Sequence, residues 1–177
     1  PPLDEDTTVV GPGSVDFWLR SSAPDTDLQV TLSEIRPNGS EMYVQSGWLR
    51  ASHRTLDRKR SRVLEPVPTH LERDARPLRA GRWNRVQVAL FASAHVFRAG
   101  SRIRISVEAP GGDRTRWAFS TPATGGAVVN EIARLPRRAS RLVLGVVPGV
   151  DAPPALPPCP SLRGQPCRTW IPASNGG

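Results

Sequence analysis

At 177 residues the chain has the size of one domain, long enough to bury roughly 70% of its unfolded surface without staples. It contains no apolar run near the ~18 residues of a membrane span and no basic-then-apolar leader, so no spanning segment is expected. The net charge of +8 invites a nucleic-acid reading, but the charge is segregated: residues 1–49 hold eight acids against two arginines, and residues 50–85 hold eleven arginines and lysines against four acids. The acidic beginning is expected to face this basic loop or a neighbouring domain.

Leu3 to Val10 carries an acidic cluster and then an apolar pair, which Gly11-Pro12-Gly13 is expected to break. Ser14 to Arg20 alternates Val15, Phe17 and Leu19 against Asp16, Trp18 and Arg20, a strand with one buried face. Pro24-Asp25-Thr26-Asp27 reads as a turn whose side chains accept hydrogen bonds from nearby amides. Asp25 and Asp27 are also the candidates for a calcium site, which would need about six to eight oxygen ligands, several from elsewhere in the chain. The turn is the preferred reading. Asp27 to Ile35 is a strand with Leu28, Val30 and Leu32 inside and Gln29, Thr31 and Ser33 wet. Arg36-Pro37-Asn38-Gly39 supplies a tight turn, and Met42 to Leu49 returns antiparallel. Asn38-Gly39-Ser40 fits an N-glycosylation pattern and is read here as part of that turn.

From Ser52 to Arg82 periodicity is lost, and Arg58-Lys59-Arg60 and Arg62 lie in a loop long enough to be functional or disordered. A nucleic-acid arm calls for aromatics between its cations, and residues 50–82 have none. Trp83 to Phe91 is a strand with Val86, Val88 and Leu90 inward, and Ser93 to Phe97 a connection that tucks Phe97 into the core. Ser101 to Glu108 is the clearest strand, with Arg102 and Arg104 on its wet face. Ala109 to Asp113 is a turn without the spacing of a phosphate loop. Arg116 to Phe119, Val128 to Leu135 and Ala139 to Val147 complete the set, the last with Leu142, Leu144 and Val146 facing in. About eight strands separated by Gly/Pro turns specify an all-β fold, an antiparallel β-sandwich.

After residue 150 the composition changes to a Pro-rich arm, residues 151–177, which excludes helix and central strand. Cys159 and Cys167 are the only cysteines. A disulfide between them would close a small loop and contribute about 2–3 kcal/mol; the alternative is two free thiols. Secretion is expected if the disulfide forms and a cytoplasmic location otherwise. The ends, Pro1-Pro2 and Gly176-Gly177, read as those of a piece of a longer polypeptide.

The run Ser21 to Leu28, the Arg36–Gly39 turn, Gly47-Trp48-Leu49-Arg50-Ala51-Ser52-His53-Arg54, Leu78 to Gly81 and Phe97 to Ile105 together resemble, in the same order, one known domain. It is the C-terminal domain of the serine hydrolases that include X-prolyl dipeptidyl-peptidases, cocaine esterase and α-amino-acid ester hydrolases. The resemblance spans about residues 3–150. It implies a jelly roll with galactose-binding-like topology over residues 1–150 and a non-catalytic role beside an α/β-hydrolase domain of the same polypeptide. It also implies a place for the domain in buttressing and in self-association.

The residues agree with a non-catalytic reading. No Gly-x-Ser-x-Gly elbow occurs, His53, His70 and His95 have no partner at helical spacing, and two cysteines in a proline arm do not make a zinc site. No catalytic, cofactor or metal residue is therefore assigned. Arg50, Arg54, Arg163, Arg168 and Trp170 are expected at an interdomain interface, because a guanidinium fork suits buried carboxylates. Two rivals remain: a carbohydrate-binding module stacking sugar on Trp18 or Trp48, and a basic nucleic-acid-binding module.

Overall fold

The structure, a computed structural model, describes residues 1–111, 122–160 and 167–172. Eight strands are present among them: β1 (Thr7–Ser21), β2 (Asp27–Ile35), β3 (Ser40–Arg50), β4 (Asn84–Phe97), β5 (Arg102–Glu108), β6 (Asn130–Ile132), β7 (Arg141–Val146) and β8 (Cys167–Thr169). Among the described residues the helical pieces are three short 3-10 turns. One sheet has β1 between β4 on one side and β6 and β7 end to end on the other. The second runs β5-β2-β3-β8, and every pairing is antiparallel.

The periodicities explain how the two sheets meet. Val15, Phe17 and Leu19 of β1, Leu28, Val30 and Leu32 of β2, and Val86, Val88 and Leu90 of β4 all face inward and, with Phe97, form one buried core. Each such side chain contributes about 1.5–3 kcal/mol by leaving water. The sheets approach most closely where β3 passes β4. A Cβ on Gly47 would stand 1.8 Å from the Ala89 carbonyl oxygen, so only glycine fits there.

Four local expectations are corrected. Gly11-Pro12-Gly13 does not end a strand. β1 runs through it on a bulge between Gly11 and Gly13, with Gly11 at φ 102°, so the missing N–H of Pro12 falls where the ladder is already irregular. Residues 93–97 are not a connection but the second half of β4, paired with Thr7 to Gly11 beyond that bulge. The outer face of β2 is not wet: Gln29, Thr31 and Ser33 are buried, because larger cross-strand neighbours close over them. The Trp48 indole donates to Gln29 Oε1 at 2.9 Å, Thr31 Oγ1 donates to Glu108 at 3.1 Å, and Ser33 Oγ donates to Glu41 at 2.7 Å. Val146 is exposed rather than inward, since β7 ends there, while Leu142 and Leu144 pack on the core as expected. The extended piece expected at 116–119 lies outside the described residues.

Gly47→Ala is expected to destabilise the chain by about 1–3 kcal/mol, the cost of overpacking against backbone that cannot give way. A lowered urea midpoint with unchanged slope is the predicted result.

Candidate docking surface

The segment Pro24–Asp27 is a hub of main-chain contacts. Asp25 Oδ1 accepts from the amides of Thr26 at 2.9 Å and Ser52 at 2.8 Å. The Thr26 carbonyl accepts from Ala51 N–H at 2.9 Å, and the Pro24 carbonyl from Leu78 N–H at 2.6 Å. Asp27 is gripped by Arg50 through Nε at 2.8 Å and Nη2 at 3.0 Å. The two carboxylates are thus occupied by amides and a guanidinium. Among the described residues no group of three acids, histidines or cysteines is placed to hold a metal.

Both ends of the 52–82 loop are fastened to this hub. Arg54 Nη1 donates to the Ala51 carbonyl at 2.9 Å and to the Arg76 carbonyl, and Arg76 N–H donates to Ser52 O at 2.8 Å. Burial pushes the Arg54 guanidinium below its ordinary value, with the Asp25 charge opposing that. The loop then folds on itself. Leu56 bridges Pro68, Asp57 N–H donates to Val67 O at 2.8 Å, and Ser14 of β1 donates to the Val63 carbonyl at 2.6 Å. It is an ordered cover over the sandwich, and Arg58, Lys59, Arg60 and Arg62 are on its exposed side.

The acidic first 49 residues meet the basic stretch at its two ends, Asp27 with Arg50 and Asp16 with Arg85, while among the described residues no acid pairs with Arg58, Lys59, Arg60 or Arg62. Their carboxylates pair mostly with arginines on strands: Asp16 with Arg85 and Arg141, Asp6 with Arg98, and Glu41 with Arg104 and Arg168. The physical reason is reach, since β1, β2 and β3 lie beside or opposite the strands and arm that carry those arginines.

The inward face of β2 ends in a carboxylate. The alternation that buries Leu28, Val30 and Leu32 brings Glu34 between the sheets, where it is 1% exposed. His95 Nε2 lies 3.0 Å from Glu34 Oε2, and the Arg98 amide donates to Oε1 at 3.0 Å. Burial alone would raise the Glu34 carboxyl. The bonds from His95 and the Arg98 amide outweigh it and hold the group below the usual carboxylate range. His53 and His70 stack at 6.4 Å. Among the described residues none of the three histidines receives a serine or threonine hydroxyl.

Of the residues expected at an interface, Arg50, Arg54 and Arg168 each have partners within this chain. Arg168 Nε donates to Glu41 at 2.9 Å, and Trp170 N–H donates to the Gly39 carbonyl at 2.9 Å. Arg163 lies outside the described residues. Cys159 and Cys167 are joined, with Cα atoms 5.3 Å apart. The described part of the arm lies along its own sandwich, where its proline carbonyls meet Arg98 and Arg36 and its last strand meets the edge of β3. What sequence reasoning missed is Glu34 with His95, and the signal was there: a carboxylate in the apolar register of β2.

The aromatic surfaces are mostly committed. The Arg138 guanidinium stands 5.8 Å over Trp18 and 5.6 Å over Trp83, and Arg20 4.8 Å over Trp83. Trp18 also borders an open cleft of about 670 Å³ with Leu135, Pro136, Arg137 and Arg138. Trp48 is partly exposed beside Phe91, 5.6 Å between ring centres, and Phe91 is 60% exposed.

An antiparallel two-sheet sandwich whose buried carboxylates are met by its own arginines, a histidine and a main-chain amide is in class an all-β module. The chain belongs to the X-Pro dipeptidyl-peptidase C-terminal non-catalytic domain family, whose model matches residues 1–132. It is 32% identical over 148 residues to "Putative serine esterase Mb1866c" of Mycobacterium bovis, covering 82% of this chain and 23% of that protein. Among solved structures it resembles a CocE/NonD family hydrolase of Staphylococcus aureus (TM-score 0.69, 24% identity, 83% of this chain and 29% of that one). It also resembles an α-amino acid ester hydrolase (TM-score 0.61, 18% identity, 83% and 24%). The chain therefore spans about a quarter of the length of the curated relative.

Glu34→Gln is expected to cost about 1–3 kcal/mol near pH 7, the penalty for a weakened buried network. Because the folded-state pKa of Glu34 is depressed, its contribution is complete above the ordinary carboxylate range and is lost as pH falls through the folded value. Urea midpoints measured across the acid range should therefore fall less steeply for Glu34→Gln than for the unaltered chain.

Proposed function

We propose that this chain is the accessory domain of a serine hydrolase acting on ester or amide bonds, and that it buttresses an α/β-hydrolase domain of the same polypeptide. The family match over residues 1–132, in a chain covering 23% of an esterase-named relative, carries this reading. The likeness to larger hydrolases supports a jelly roll of galactose-binding-like topology over residues 1–150, with 151–177 as an arm upon it and not a second domain.

In this reading the catalytic serine, histidine and acid belong to the neighbouring domain, and this one contributes surface. Exposed groups beyond those the sequence singled out can contribute it. Arg50, Arg54 and Arg168 hold their own domain's loops and edge, whereas the exposed cations Arg58, Lys59 and Arg60 and the exposed Phe91 beside Trp48 face outward. An exposed phenylalanine of this kind, with a half-buried indole against it, suits the apolar centre of an interdomain contact. Self-association of the whole protein through the same domain is part of the proposal.

The sugar-stacking alternative is weakened at Trp18 by the Arg138 guanidinium over its ring and at Trp48 by Phe91 against it, and the nucleic-acid alternative by the pairing of most strand arginines with carboxylates.

The test is hydrolysis of p-nitrophenyl acetate and butyrate by the purified chain, by the preceding segment of its parent, and by the two together. The chain alone is expected to be inert, and the preceding segment to gain activity or thermal stability when the chain is added. Turnover by the chain alone at an enzyme-like rate would overturn the reading.

A further inference from the structure

The arm beyond residue 150 lies outside the matched family region, yet it is fastened to the sandwich at five points. Arg98 Nη2 donates to the carbonyls of Pro153 and Ala155, the latter at 3.2 Å. Arg36 Nη2 donates to the Pro157 carbonyl at 3.0 Å. β8 pairs with Ser40–Met42 of β3, where Arg168 meets Glu41, and Trp170 N–H reaches the Gly39 carbonyl. Without β8, that stretch of β3 would be an open sheet edge with Glu41 short of one of its two arginines.

Both cysteines lie on the arm, at positions 159 and 167, the second as the first residue of β8, and neither is on the strands of residues 1–150. The disulfide therefore ties nothing covalently to the body of the domain. Its effect is to restrict the arm when it is undocked, so that β8 arrives already placed relative to the proline stretch held by Arg36. Closing a loop of this size lowers the entropy of the open arm by an amount worth roughly 10- to 100-fold in the docking equilibrium. The remaining contacts are one three-residue ladder, partly exposed ion pairs and a few carbonyl bonds, each individually weak.

We propose that the arm is a strap latched by the Cys159–Cys167 disulfide, and that reduction of this bond releases β8 and uncovers the Gly39–Met42 edge of β3. The step is a thiol–disulfide exchange with a dithiol reductant. One thiolate of the reductant attacks a cysteine sulfur to give a mixed disulfide and a free cysteine thiolate. Its second thiolate resolves the mixed disulfide, leaving two protonated cysteine thiols and an oxidised reductant, two electrons and two protons having passed to the protein. The stretch held by Arg98 and Arg36 keeps its anchors on reduction, because Pro153, Ala155 and Pro157 all precede Cys159.

The test is amide hydrogen exchange on the full chain by NMR, oxidised and after treatment with dithiothreitol, with the Cys159→Ser/Cys167→Ser double variant as a reductant-free counterpart. Exchange at the Trp170 amide and across Arg168–Thr169 is expected to accelerate at least tenfold in both the reduced chain and the double variant, while the β1–β4 ladder is unchanged. Two results overturn the proposal. Unchanged exchange at Trp170 on reduction shows that the strap holds without its latch. Acceleration spread equally over β1 and β4 shows that the disulfide staples the whole fold and does not act as a local device.

Discussion

A carboxylate taken out of water must be met by donors, and this constraint arranges much of the molecule. Asp16, Glu34 and Glu41 are all buried by the strands they sit on, and leaving any of them unpaired would cost several kcal/mol. Each is answered from a distant part of the chain: Asp16 by Arg85 and Arg141, Glu34 by His95 and the Arg98 amide, and Glu41 by Arg104 and Arg168. Apolar packing is non-directional and would tolerate several strand orders. These pairs accept only an arrangement in which β4 and β7 flank β1, β4 lies opposite the end of β2, and both β5 and the arm reach the outer face of β3.

The same pairs account for the fate of the net charge. A total of +8 suggests an anionic ligand, but the strand arginines that would have bound one are spent inside the domain. Among the described residues the exposed cations without an acidic partner include Arg58, Lys59 and Arg60, on a loop whose two ends are drawn together by Asp25 and Arg54. An ordered loop with its cations outward is a surface held ready for a neighbour, which suits a domain that makes up about a quarter of the length of its esterase-named relative.

Much of this was legible in the residues. Period-two alternation placed β2, β5 and the inner halves of β1 and β4, and the Asn38-Gly39 turn appeared where it was expected, with Gly39 at φ 81°. The illegible parts share a cause, which is that neighbours in space decide them. Nothing local says that Gly11-Pro12-Gly13 will be absorbed by a bulge, since that depends on β4 and β7 continuing on either side. Gln29 and Thr31 look like a wet face until Trp48 and Glu108 are brought over them. Arg50 and Arg168 have the chemistry of interface residues, and which carboxylate they choose is settled by register: Arg50 stands opposite Asp27, and Arg168 opposite Glu41. The aperiodic 52–82 stretch concealed an ordered loop because its order comes from main-chain bonds and proline packing, which leave no period.

The central claim is that these arginines serve the domain's own fold, and urea unfolding of the isolated chain with Arg50→Ala tests it most directly. Loss of the two-bond grip on Asp27, partly exposed as it is, should lower stability by about 1 kcal/mol with an unchanged slope. An unaltered midpoint in the isolated chain, together with weakened assembly of the parent protein, would contradict it and return Arg50 to the interface.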